Sequence, residues 1–167
     1  NSCGSRSIRY GIMRDNVLSI DAMLADGTKA HFGEVPADFE KINAPDAARD
    51  LFRDLLRLGE RDAAHIRQAF PEVSRRVGGY LIDGLLPTDK PRNLATILCG
   101  SEGTLALSER MRLKLSPQPK NKALGICHFA TFRKAMEAAQ HIVKLSPVAV
   151  ELVDRTLIEL ARDIAMF

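Results

Sequence analysis

The stretch Cys99-Gly100-Ser101-Glu102-Gly103-Thr104-Leu105 is the one best suited to chemistry. Two glycines flanking Ser and Glu leave almost no side-chain bulk on one backbone surface, so a phosphate or a wide, flat ring can lie against exposed amides there. A second small-residue patch, Asn1-Ser2-Cys3-Gly4-Ser5-Arg6-Ser7, runs through Arg9-Tyr10-Gly11 to Arg14-Asp15-Asn16-Val17. Its amides and hydroxyls can donate to phosphate or ring oxygens, and Arg6, Arg9 and Arg14 can bring positive charge to whatever binds. Cys3 sits among glycine and arginine, a setting that lowers a thiol pKa; a small spacer explains it equally well.

The remaining candidates are weaker. Cysteines at 3, 99 and 127 are odd in number and far apart, so they form neither a disulfide framework nor a metal cluster and are expected to be reduced thiols. His31, His65, His128 and His141 have no metal-ligand spacing, and no metal site or catalytic residue is assigned. Asp46, Asp50 and Asp54 each precede an Arg by three residues (Arg49, Arg53, Arg57). This stripe reads as a solvated face of weak ion pairs or, in an alternative reading of the whole chain, as the docking surface of a noncatalytic α+β protein-interaction module. Neither a Gly-Lys-Ser/Thr loop nor Gly-x-Gly-x-x-Gly follows a strand.

The elements that must hold these residues are readable from periodicity. Val17 to Leu24, a turn at Asp26-Gly27-Thr28, and Lys29 to Phe32 predict a β-hairpin. Ala48, Leu51, Phe52, Leu55 and Leu58 predict a helix with Pro45 in its first turn and Gly59 just past its end, and a second helix follows from Glu60 to Phe70. Residues 80 to 100 read as an apolar, turn-rich connection with one short helix around Asn93 to Leu98. Thr104 to Leu115 alternates as a strand, and Ser116-Pro117-Gln118-Pro119 reads as a linker. Beyond it the pattern is β-α-β-α: a strand at Ala123 to Phe129, a helix capped by Thr131, a strand at Val148 to Val153 and a helix capped by Asp154.

The 167 residues are 46% hydrophobic and 27% charged, the balance of a globular protein able to bury a core. A net charge of +3 with basic residues spread among acids argues against a nucleic-acid partner. No apolar run approaches the ~20 residues of a membrane-spanning helix. The expected location is cytoplasmic, with peripheral attachment to the inner membrane face left open. The first residue is Asn rather than Met, and the chain is expected to be a piece of a longer polypeptide.

The two glycine-containing patches, in this order, resemble the FAD-linked oxidase family of the p-cresol methylhydroxylase and vanillyl-alcohol oxidase superfamily. The likeness is greatest to its D-lactate, glycolate and D-2-hydroxyacid dehydrogenase branch. The segment Ala69-Phe70-Pro71-Glu72-Val73-Ser74-Arg75-Arg76-Val77-Gly78-Gly79-Tyr80, with Asp83-Leu85-Leu86-Pro87, narrows it toward members that fuse the flavoprotein to an iron–sulfur domain. The resemblance implies an α+β fold. Residues 1–119 would be the second half of the FAD-binding domain, an antiparallel sheet with helices and a helical insertion at about 37–76; residues 120–167 would open a ferredoxin-like cap. It implies FAD bound noncovalently along Ser2, Cys3, Gly4 and Ser5, which would line the ribityl chain and the isoalloxazine edge, and against Gly100, Ser101, Glu102 and Gly103. Ala106 and Leu107 would meet the adenine and ribose through their backbone, although many relatives have Gly at the first of these. It further implies a small hydroxyacid substrate and an electron acceptor that is an iron–sulfur domain, a quinone or a cytochrome. Catalytic, metal-ligating and substrate-binding residues would lie elsewhere, and this stretch alone would bind FAD weakly or not at all.

Overall fold

The structure, a computed structural model, describes residues 4–38, 41, 46–73, 75–162 and 164. The fold is α+β with an antiparallel sheet, and the chain divides into two compact units. One runs from Ile12 to Leu115; the other joins Gly4–Gly11 to the chain from Ser116 onward.

Helical turn α1 (Ser7–Tyr10) belongs to the second unit, and α2 (Met13–Asn16) opens the first. Asp15 accepts from the Ile12 amide at 2.9 Å and so holds the entry to α2. The predicted hairpin forms as β1 (Val17–Met23) and β2 (Lys29–Phe32), with Ile20 opposite Phe32 and Asp21 opposite His31. A two-residue strand, β3 (Glu34–Val35), pairs with β4 (Arg92–Asn93), and β5 (Leu107–Leu113) pairs antiparallel with β1 to give the sheet order β2-β1-β5.

Alternation along β1 and β2 puts Ile20, Ala22, Ala30 and Phe32 on one face, and α3 (Asp46–Arg61) contributes Ala48, Phe52 and Leu56 to the core that covers it. Phe32 and Phe52 meet edge to face with ring centroids 5.2 Å apart. The core is completed by Leu81 and Leu85, which flank and close the 3-10 turn Ile82–Leu85, and by Leu94, Ala95, Ile97 and Leu98 around α5 (Ala95–Leu98). Arg92 is buried here and donates to the Leu85 carbonyl at 3.2 Å; burial lowers its pKa, with Glu60 opposing.

Two helix boundaries differ from the sequence reading. The first helix runs through Gly59 to Arg61 rather than stopping at Leu58, because Gly59 marks a close approach and not an end: a Cβ there would stand 2.1 Å from the Leu85 carbonyl oxygen. The next helix, α4 (Ala63–Ala69), starts after a break at Asp62. Pro45 lies outside the described residues.

In the second unit, α6 (Phe132–Ile142) and α7 (Arg155–Arg162) form where expected. Thr131 accepts from the Lys134 amide at 3.3 Å, and Asp154 from the Leu157 amide at 2.9 Å. The expected strands do not form. Residues 123–129 and 148–153 have no ladder partner, and without one an extended segment gains nothing over hydrated chain. Leu124 and Ile126 are 86% and 72% exposed, and none of the described residues from Ser116 onward is buried.

Candidate functional site

Two consecutive turns build the glycine segment. Cys99, at φ −69° and ψ 116°, and Gly100, at φ 84°, are the central residues of a type II turn closed by the Ser101 amide on the Leu98 carbonyl at 3.3 Å. The second turn is closed by the Thr104 amide on the Ser101 carbonyl at 3.0 Å, and its central residues Glu102 and Gly103 sit at φ 53° and 77°. Positive φ at both centres is the signature of a type I′ turn, which joins antiparallel strands without splaying them. Glycine supplies that geometry freely at 103, whereas Glu102 adopts it at a cost of about 1 kcal/mol or more.

Ser101 is the buried pivot between the turns, its hydroxyl donating to the Leu98 carbonyl at 2.9 Å. Thr104 reinforces the second turn, its hydroxyl donating to the Ser101 carbonyl at 2.5 Å and meeting the Tyr80 hydroxyl at 2.8 Å. Among the described residues the amides of Glu102 and Gly103 make no hydrogen bond. A Cβ on Gly103 would meet nothing within 4 Å. The turn therefore presents two adjacent amide donors without a partner among the described residues, beside a glycine with open space where a Cβ would stand. Beside it Cys99 is buried, its thiol pushed up by desolvation and directed to the Ala95 carbonyl at 3.6 Å.

A charged cluster lies in the same unit. Asp83 Oδ2 accepts from Arg14 Nη1 at 2.9 Å and from Arg76 Nη2, while Arg76 lies 4.7 Å over the Phe70 ring and donates to the Pro71 carbonyl. In the sequence Tyr80, Asp83 and Arg76 stand only as parts of a family likeness, with no role of their own. The usable signal was Asp83 itself, an acid set between Leu81, Ile82 and Leu85 that needs a cation to be buried.

The other assigned residues fall as follows. Ser2 and Cys3 lie outside the described residues. Gly4 is exposed with open space around it, Ser5 is half-buried, and both belong to the second unit. Gly100, Ser101, Glu102, Gly103, Ala106 and Leu107 are brought together in the first; Ala106 packs against the core, and Leu107 opens β5 opposite Met23. Within the second unit a cavity of about 560 Å³ is lined by Arg9, Tyr10 and residues 116–119, but by none of the assigned cofactor residues.

The Asp–Arg stripe is largely self-satisfied, with Arg53 on Asp50 at 3.0 Å and Arg57 on Asp54 at 3.7 Å. No group of three potential metal ligands occurs among the described residues, and none of their helices is long and apolar enough to cross a membrane.

Comparison with known proteins adds to this geometry. No family model matches the chain, and no solved structure matches it significantly. Over 165 residues it is 28% identical to a D-2-hydroxyglutarate dehydrogenase of Pseudomonas putida, a match covering 96% of the chain and 16% of that relative. It is 28% identical over 158 residues to an uncharacterised FAD-linked oxidoreductase of Mycobacterium tuberculosis, covering 93% of the chain and 24% of the relative. The chain is a homologue of FAD-linked oxidoreductases. A D-lactate dehydrogenase of Archaeoglobus fulgidus is also similar, 24% identical over 166 residues, or 99% of the chain and 26% of the relative. The chain thus spans about a sixth of the length of the D-2-hydroxyglutarate dehydrogenase it matches.

Proposed function

We propose that this chain forms one wall of the FAD site of an oxidoreductase that acts on a D-2-hydroxyacid, with D-lactate and glycolate as the first substrates to try. The observation that carries the reading is the type I′ turn at 101–104, whose Glu102 and Gly103 amides are free beside a glycine with open space where a side chain would stand. Such a turn fits a large, flat, anionic group: the free amides donate to its oxygens, and the missing Cβ lets it approach the backbone. The names of the relatives support the same cofactor and substrate class.

Bound FAD would accept the two electrons released when the α-carbon bearing the hydroxyl is oxidised to a carbonyl. The chain's own residues bind and orient. Glu102 and Gly103 donate backbone hydrogen bonds, Ser101 and Thr104 keep the turn in register, and Arg14 holds positive charge within the same unit. None of them is assigned the substrate proton. The proposal extends to residues 1–119 as part of the FAD-binding domain and 120–167 as the start of a ferredoxin-like cap. It also includes an electron exit through an iron–sulfur domain, a quinone or a cytochrome, which rests on the likeness of residues 69–87 to the fused members of the family.

Substitution in the whole protein tests the wall. Gly103→Val forces a branched side chain onto a φ of 77° and into the open approach. It is expected to lower bound flavin per polypeptide at least about tenfold. Glu102→Gly removes backbone strain while keeping both amides and should retain flavin fully. Unchanged flavin content in Gly103→Val would count against the reading.

A further inference from the structure

Tyr80 and Asp83 are three residues apart, on either side of Leu81, which is fully buried, and Ile82. From that anchored base they reach in two directions. The Tyr80 hydroxyl meets the Thr104 hydroxyl at 2.8 Å, and Thr104 closes the turn carrying the free Glu102 and Gly103 amides. The Asp83 carboxylate holds Arg14, just before β1 on the stretch that follows Arg9-Tyr10-Gly11.

The two contacts differ in what they add to stability. Tyr80 is 46% exposed, and a hydrogen bond between two surface hydroxyls competes with water and adds little to folding. Asp83 takes both guanidinium groups on Oδ2, while Oδ1 is buried with no partner among the described residues, which is a cost to the folded state. What both contacts do achieve is position. One fixes the turn, the other fixes a cation, and the same short segment, anchored by Leu81, sets both.

We infer that residues 76–83 form a two-armed bracket for the FAD wall, with Tyr80 and Asp83 as positioning residues: Tyr80 aims the turn amides through Thr104, and Asp83 aims the Arg14 guanidinium. Arg76 steadies the second arm, being held itself by the Phe70 ring and the Pro71 carbonyl. The inference rests on the FAD reading above, and its test separates the two.

The whole protein is stripped of flavin and titrated with FAD, following flavin fluorescence and absorption, and the melting temperature of each apoprotein is measured alongside. Tyr80→Phe is expected to weaken FAD binding about fivefold, the loss of roughly one hydrogen bond, with the apoprotein melting temperature unchanged. Thr104→Val, which also removes the hydroxyl contact with the Ser101 carbonyl, should weaken it at least as much, and the double variant should be no worse than Thr104→Val, because the link to Tyr80 is already lost there. Asp83→Asn should weaken binding about tenfold and shift the bound flavin spectrum. If Asp83→Asn does not fold, the Tyr80–Thr104 cycle decides alone. Wild-type affinity in Tyr80→Phe and Thr104→Val overturns the bracket. Failure of the wild-type protein to take up FAD at all overturns instead the reading on which the bracket is built.

Discussion

Asp21 and His31 face each other across β1 and β2, Nδ1 to Oδ1 at 2.5 Å, and because a carboxylate can only accept, Nδ1 carries the proton. The hydrogen bond from His31 is the main cause that holds Asp21 below its ordinary value of 3.8, with smaller contributions from Arg110 and Arg112. A lowered carboxyl pKa stabilises the fold at pH above the unfolded value, and that contribution is lost as pH falls through the lower, folded one. Asp21→Asn should therefore melt below the wild type at pH 7, and the gap should close as pH falls through the lowered folded value, as thermal unfolding across pH would read. The residues of the glycine turn were legible in sequence because their backbone need is written in their type: Gly100 and Gly103 supply positive φ. Glu102 at φ 53° was not, since nothing in a Glu announces a left-handed backbone. Nor was the His31–Asp21 pair, which depends on cross-strand register rather than on any spacing along the chain.

At the scale of elements, the hairpin, the strand at 107–113 and the helices carrying Phe52, Met136 and Ile158 follow from alternation and 3.6-residue periodicity. The helix end at Gly59 was misread because the same residue type serves as a stop signal and as a slot for a crossing backbone. Only packing tells them apart, and here the Leu85 carbonyl fills the slot. Gly59→Ala should consequently destabilise the first unit by at least ~2 kcal/mol, although alanine is the better helix former; the midpoint of urea unfolding would register it. A chain in which Gly59→Ala raised stability would show that the two backbones do not cross so closely. The two-residue strands β3 and β4 were invisible for another reason. At 2 residues each they carry no period, and they exist because the Leu94 amide donates to Gly33 and Val35 stands opposite Arg92.

At the scale of the whole molecule, the buried residues among those described are confined to one unit. Phe52, Leu56, Leu81, Leu85 and Leu94 are almost wholly inaccessible there, while none of the described residues beyond Ser116 is buried. The β-α-β-α pattern was legible past Pro119, yet its strands require neighbours that local sequence cannot supply. Amide hydrogen exchange on the 167-residue chain should show this as rapid labelling across 121–130 and 148–153, with slow exchange confined to β1 and α3. Protection of 121–130 equal to that of β1 would contradict it. Strand β5 also has a broader consequence. Among the described residues it pairs with β1 along one side only, and Leu107 and Met111 are 61% and 56% exposed. Its bare rim is a template for any extended peptide that reaches it, including another molecule of the same kind. Solubility of this stretch, when produced by itself, is thus governed by how that rim is shielded, and clumping at high concentration would originate there.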